Sequence, residues 1–239
     1  MNEKLIVALD LNDLNKIKML VDKLQGYVSY YKIGAIPFTY FGPEVIRFLK
    51  ERGLKVMLDL KYHDIPNTVA RACEGAMEMG VDMLTMHISG GFMMMEEAVK
   101  AVSLISDVKK IPKPKLLGIT VLTSIDEAYF KDLFGDVKRT IEEQVIFLAR
   151  LAQSAGLDGV VASPHEIKRI RETCGSDFLI VTPGIRPEGE ESDDQARTMT
   201  PAQAIKAGGD FIVVGRSIIA AKDPVSAAKN IIKEIENAG

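Results

Sequence analysis

The chain has 239 residues, 47% hydrophobic and 26% charged, an ordinary globular composition whose length allows one domain or two. Its formal net charge of −3 lacks the basic excess of a duplex nucleic-acid binder, so an anionic ligand has to be met by a few local cations. No apolar run approaches the roughly 18–20 residues of a membrane helix, which predicts a protein without nucleic-acid or membrane partners.

Short apolar, β-rich runs recur in chain order: LIVALD (5–10), VSYYKIG (28–34), LKVMLDLK (54–61), MLTMHI (83–88), KLLGITVLTS (115–124), DGVVAS (158–163), FLIVTPG (178–184) and DFIVVG (210–215). Segments with helical spacing separate them. Pro43 opens one in which Val45, Ile46, Phe48 and Leu49 share a face before Gly53 ends it. In the last, Asp223 is placed to cap, Pro224 fits the first turn, and Val225, Ala228, Ile231, Ile232 and Ile235 form an apolar stripe. Eight strand-helix units in 239 residues come to about 30 residues each, with repetition of pattern but no evident repetition of sequence. This rhythm predicts an α/β fold, a single-domain (β/α)8 TIM barrel over residues 1–239. A doubly wound open sheet is the alternative, but no glycine-rich turn follows the first strand.

Before the first strand, Met1-Asn2-Glu3-Lys4 has no signal-peptide architecture, which predicts a cytoplasmic chain. Cys73 and Cys174 have no CxxC spacing and read as reduced thiols. The Phe92-Met93-Met94-Met95 run reads as core filler, and Lys109, Lys110, Lys113 and Lys115 as a solvated basic loop.

In a βα barrel the chemistry sits where strands end. Asp10, Lys32, Asp59, Lys61, His87, Thr123, Ser124, Ser163 and Arg216 fall there. The densest cluster is DLKYHDIPNT at 59–68, where Asp59 and Lys61 share a strand face and Asp64 follows in the loop. A lysine between carboxylates is held in its charged form, which opposes Schiff-base chemistry and suits a proton donor to a developing carbanion. An ion-pair network that closes the barrel mouth is the structural alternative. A metal site at Asp59, His63, Asp64 and His87 is disfavoured, because the lysine would repel the cation and no metal-ligand spacing is present. His63, His87 and His165 read as hydrogen-bonded structural or rim residues.

The strands ending at VTPGIRP (181–187) and VVGRS (213–217) carry glycines and arginines where such barrels bind phosphate. Between them, residues 186–199 read as a long mobile loop with five acids at 188–194; without those charges the net −3 becomes +2.

DxKxxDIPNT at 59–68, with VALD at 7–10, LTS at 122–124, TPGIRP at 182–187, DQAR at 194–197 and VVGRS at 213–217, resembles the orotidine 5′-monophosphate decarboxylase family over nearly the whole chain. The resemblance implies conversion of orotidine 5′-monophosphate to uridine 5′-monophosphate and carbon dioxide in pyrimidine synthesis, with no metal and no organic cofactor. It implies that Lys61 donates the proton, that Asp59, Asp64 and Lys32 complete its charged network, and that Asp10 and Lys32 handle the ribose. Thr123 or Ser124 and the backbone at Pro183 would contact the pyrimidine. Gln195, Gly215 and Arg216 would hold phosphate with Arg186 nearby, the 186–199 loop closing over it. Asp64 and Thr68 would reach a neighbouring subunit's site, implying a homodimer. Two rivals remain: a sugar-phosphate decarboxylase or aldolase, in which a metal is used and an acid stands in place of Lys32, and a non-catalytic barrel that senses a nucleotide phosphate.

Overall fold

The computed structural model describes residues 2–135, 138–187 and 199–238. In chain order they form β1 (Asn2–Ala8), α1 (Leu14–Leu24), β2 (Val28–Gly34), α2 (Ala35–Phe41), α3 (Pro43–Lys50), β3 (Lys55–Tyr62), α4 (Pro66–Glu78), β4 (Met83–His87) and α5 (Phe92–Lys109). There follow β5 (Lys115–Ile119), α6 (Glu127–Phe134), α7 (Ile141–Ser154), β6 (Gly159–Val161), α8 (Ile167–Cys174), β7 (Leu179–Thr182), α9 (Pro201–Lys206), β8 (Phe211–Val214), α10 (Arg216–Ile219) and α11 (Pro224–Glu236). The strands close in sequence order, and the seam is parallel pairing of β1 with β8, Leu5 opposite Ile212 and Val7 opposite Val214. This is the TIM barrel that the strand-helix rhythm predicts.

Alternation along the strands divides the apolar residues between two cores. Ile6, Ala8, Tyr30, Met57, Met83, Leu117, Val181 and Val213 fill the barrel interior. Their strand neighbours Leu5, Val7, Tyr31, Val56, Leu84, Leu116 and Ile180 face outward into the larger core beneath the helices. There α3 buries Val45, Ile46, Phe48 and Leu49, and α11 buries Ala228, Ile231 and Ile235. Each fully buried isoleucine contributes on the order of 1.5–3 kcal/mol. Asp223 caps α11 as expected, accepting from the N–H groups of Val225 and Ser226.

Several boundaries differ from expectation. The 115–124 run leaves the ladder after Ile119, because Val121, Leu122 and Thr123 are spent on a cavity wall. Of the methionine run, Met94 and Met95 are fully buried, but Phe92 and Met93 are 38% and 57% exposed, so only half of it is core. The basic patch is not one loop: Lys109 ends α5 and pairs with Glu78, while Lys115 opens β5 and pairs with Asp158.

A sequence repeat is present after all, at the end where the strands begin. Three of the four Gly-x-Asp triplets, at 80–82, 156–158 and 208–210, stand just before β4, β6 and β8, while the fourth, at 175–177, lies one residue further from β7 and its Asp177 instead accepts from the Ser176 hydroxyl. In those three, each glycine takes positive φ, +77°, +86° and +104°, to leave the preceding helix, a conformation that costs a Cβ-bearing residue strain. Each of their aspartates then accepts a backbone N–H from the preceding strand and one cation. Asp82 takes Val56 N at 2.8 Å and Lys50 Nζ at 2.7 Å. Asp158 takes Leu116 N and Lys115 Nζ, both at 2.9 Å. Asp210 takes Ile180 N at 2.8 Å and Arg171 Nη2 at 2.7 Å.

Candidate active site

At the opposite end, the strand termini surround a cavity of about 530 Å³, a size that suits a small ligand. Its charged wall comes from Asp10, Lys32, Asp59 and Lys61, and its other walls include Thr123, Pro183, Gly184, Arg186, Gly215 and Arg216. Met57, Ile119, Val121, Val161 and Val213 give it an apolar floor and side.

The four charged residues alternate in sign. Lys32 Nζ lies 3.0 Å from Asp10 Oδ1 and 3.5 Å from Asp59 Oδ2, and Lys61 Nζ donates to the same Asp59 Oδ2 at 2.8 Å. Asp59 is buried, and burial opposes its charge. The ammonium groups of Lys32 and Lys61, with hydrogen bonds from Lys61 and Thr85, outweigh that cost and hold the carboxyl below the usual carboxylate range. Asp59 is therefore an anion at neutral pH. Gly34 provides the space for this arrangement: a Cβ there would stand 2.9 Å from both Asp10 Oδ1 and Lys32 Nζ.

Lys61 reaches Asp59 through an irregular backbone. Leu58 pairs with Leu84 and Tyr62 with Met86, so β3 carries two more residues than β4 over that stretch. Within this bulge Lys61 adopts φ +53°, a left-handed conformation that costs a residue with a Cβ about 1–2 kcal/mol. Its N–H is received by the hydroxyl of Thr85 at 3.0 Å, and that hydroxyl donates to Asp59 Oδ1 at 3.0 Å.

The other predicted residues fall into three groups. Thr123, half-buried, lines the cavity, whereas Ser124 is exposed and is not part of its lining. Asp64 and Thr68 are exposed and do not line this chain's cavity; an Asp64 oxygen accepts the Ile65 N–H at 2.7 Å. Within its own chain Lys61 pairs with Asp59. Gln195 and residues 188–198 of the 186–199 segment lie outside the described residues. The two ends of that segment are clasped: Arg186 N donates to Met199 O at 3.1 Å, and Met199 N to Gly184 O at 3.4 Å. Arg186 is buried, its Nη1 donating to Ile185 O at 3.0 Å.

Of the histidines, His63 and His87 stand together with ring centroids 5.3 Å apart. Burial, reinforced by His63 and Lys61, lowers the His87 pKa and favours its neutral form. Among the described residues, no three His, Cys, Asp or Glu side chains are grouped to hold a metal ion.

Sequence reasoning missed Gly34 and Thr85. Gly34 was signalled by YKIG, where a glycine follows the lysine by two positions. Thr85 lies inside the apolar run MLTMHI and carried no signal of its own.

Fold and site together define a TIM barrel whose mouth is built around paired lysines and carboxylates. The chain belongs to the orotidine 5′-phosphate decarboxylase / HUMPS family, whose model matches residues 3–231. It is 50% identical to the orotidine 5′-phosphate decarboxylase of Moorella thermoacetica over 98% of this chain and 92% of that protein. With the enzyme of the same name from Geobacter sp. strain M21 it shares 45% identity, covering 98% and 96% of the two chains. Among solved structures, the orotidine 5′-phosphate decarboxylase of Lactobacillus acidophilus superimposes with a TM-score of 0.85 at 37% identity, covering 98% of this chain and 99% of that one. An uncharacterized conserved protein from Geobacillus kaustophilus gives a TM-score of 0.84 at 35% identity, covering 97% and 99%.

Proposed function

We propose that this chain is a carboxy-lyase that converts orotidine 5′-monophosphate to uridine 5′-monophosphate and carbon dioxide in pyrimidine biosynthesis, without metal or organic cofactor. The observation that carries the reading is the Lys61–Asp59 pair in the cavity wall, a cation held at 2.8 Å by a buried carboxylate. In the reaction, the bond from the pyrimidine ring to its carboxylate breaks and its electron pair stays on the ring carbon. The Lys61 ammonium stabilises that charge, then transfers a proton from Nζ to the carbon, and the neutral amine regains a proton from solvent. Asp59 faces the departing carboxylate, so repulsion present in the bound substrate is relieved as carbon dioxide leaves.

The remaining roles follow the cavity's layout. Asp10 and Lys32 hold the ribose, Thr123 and the backbone at Pro183 the pyrimidine, and Gly215 and Arg216 the phosphate, with Arg186 beside it. Gln195 reaches the phosphate from the 186–199 segment, which closes over the ligand and lets binding far from the ring lower the chemical barrier. The clasp between Met199 and Gly184–Arg186 supports such a closure by anchoring both ends of the segment at the rim. Asp64 and Thr68 complete the site of a second subunit. Their exposure, with that of the intervening Ile65 and of Phe92 and Met93 at the start of α5, supports a homodimer.

The position of Lys32 favours this reading over a metal-dependent sugar-phosphate enzyme, since its ammonium occupies the end of β2, 3.5 Å from Asp59, and would repel a divalent cation. The test is the loss of ultraviolet absorbance of orotidine 5′-monophosphate with chelator-stripped protein. Turnover unaffected by chelator is expected. Dependence on added metal would favour the sugar-phosphate relatives, and saturable binding without turnover would leave a nucleotide-phosphate sensor.

A further inference from the structure

We propose that Thr85 is a positioning residue: its hydroxyl ties the backbone of Lys61 to the carboxylate of Asp59 and so sets where the Lys61 ammonium points. The inference rests on the reading of Lys61 as proton donor.

Three observations carry it. First, the β3–β4 ladder slips between Leu58 and Tyr62, and the Lys61 N–H is taken up by the Thr85 side chain at 3.0 Å. A part-buried N–H left out of the ladder needs such a partner, and this one belongs to a residue already in the left-handed region at φ +53°. Second, Thr85 donates to Oδ1 of Asp59 at 3.0 Å, while both ammonium contacts, from Lys61 at 2.8 Å and Lys32 at 3.5 Å, fall on Oδ2. The carboxylate is thereby fixed about its own axis, with one oxygen assigned to the fold and the other to the cations. Third, Thr85 is fully buried, so no solvent molecule stands ready to replace its hydroxyl. A threonine wanted only for its shape would be served equally by valine, and valine can make neither bond.

That contrast is the test. Thr85→Val keeps the branched shape and removes both hydrogen bonds, one of them to a charged group. Its kcat for orotidine 5′-monophosphate is expected to fall at least about tenfold, with KM changed less than about threefold, because the phosphate and ribose contacts come from other strands. Thr85→Ser retains the hydroxyl and is expected to recover most of kcat. Should the valine variant not fold, Thr85→Ala takes its place in the same comparison. Wild-type kcat in the valine or alanine variant, or a loss that serine fails to recover, overturns the assignment. Absence of turnover in the wild-type protein would instead refute the decarboxylase reading. The hydrogen-bonding claim is then decided by a crystal structure of the Thr85→Val variant: a Lys61 Nζ displaced from Asp59 sustains it, and an unchanged contact overturns it.

Discussion

At the end where the strands begin, Asp82, Asp158 and Asp210 each hold one backbone N–H and one cation. At the end where they finish, Asp10, Lys32, Asp59 and Lys61 form one continuous chain of alternating charge along a cavity wall. The ingredients are the same, but the geometry differs. Each lower aspartate is consumed by its own strand junction, and the three pairs are separate. The upper groups share partners, two ammoniums on one carboxylate oxygen, and all four line an open cavity. In such a barrel the lower arrangement stabilises and the upper one reacts.

The largest effect expected from this contrast is at Lys61. Lys61→Ala should lower turnover of orotidine 5′-monophosphate by about a thousandfold or more, since in the proposed mechanism it removes both the proton donor and the charge that stabilises the carbanion. Binding of uridine 5′-monophosphate, followed by calorimetry, should survive. A variant that keeps substantial turnover would remove Lys61 from the chemistry.

The lower end should respond in the opposite sense. Asp210→Asn weakens the bridge between Arg171 and the Ile180 N–H and is expected to cost about 1–3 kcal/mol of stability, read by denaturant unfolding. Its kcat, measured where the variant is folded, should stay within about twofold of wild type, given that the site lies at the other end of the strands. A fall in kcat without a fall in stability would erase the division between the two ends.

The smallest effect is expected at Gly34. Adding a methyl group in Gly34→Ala crowds the ends of two flexible side chains, Asp10 and Lys32, which can shift without disturbing the strands. A loss of about three- to tenfold in kcat/KM with little change in melting temperature is the expected signature, since the displaced groups line the cavity and, in the proposed function, hold the ribose. A large stability loss would show that this pair also supports the fold.

Much of the barrel was legible because strands buried on both faces read as short apolar runs, and eight of them fit the length. Their ends were less legible. In KLLGITVLTS the apolar character continues past Ile119 because a cavity wall, like a strand, needs apolar residues. Asp59 and Lys61 were visible as charges inside such a run. Thr85 was not, since a lone threonine in a strand usually reflects only its β propensity. Nor could the left-handed turn at Lys61 be anticipated, because it depends on the slipped pairing with β4. The Gly-x-Asp repeat stood in the sequence, but its unequal spacing hid it from any search for a period. Its meaning appears only when the three strand junctions are seen at one end of the barrel.

The most direct test compares wild type, Lys61→Ala and Asp210→Asn side by side, after chelator treatment and at a temperature where all three are folded, by the loss of orotidine 5′-monophosphate absorbance. Turnover by wild type and Asp210→Asn is expected, with a loss of about a thousandfold or more in Lys61→Ala. Substantial turnover by Lys61→Ala, or a wild type that is inactive until metal is restored, would contradict this.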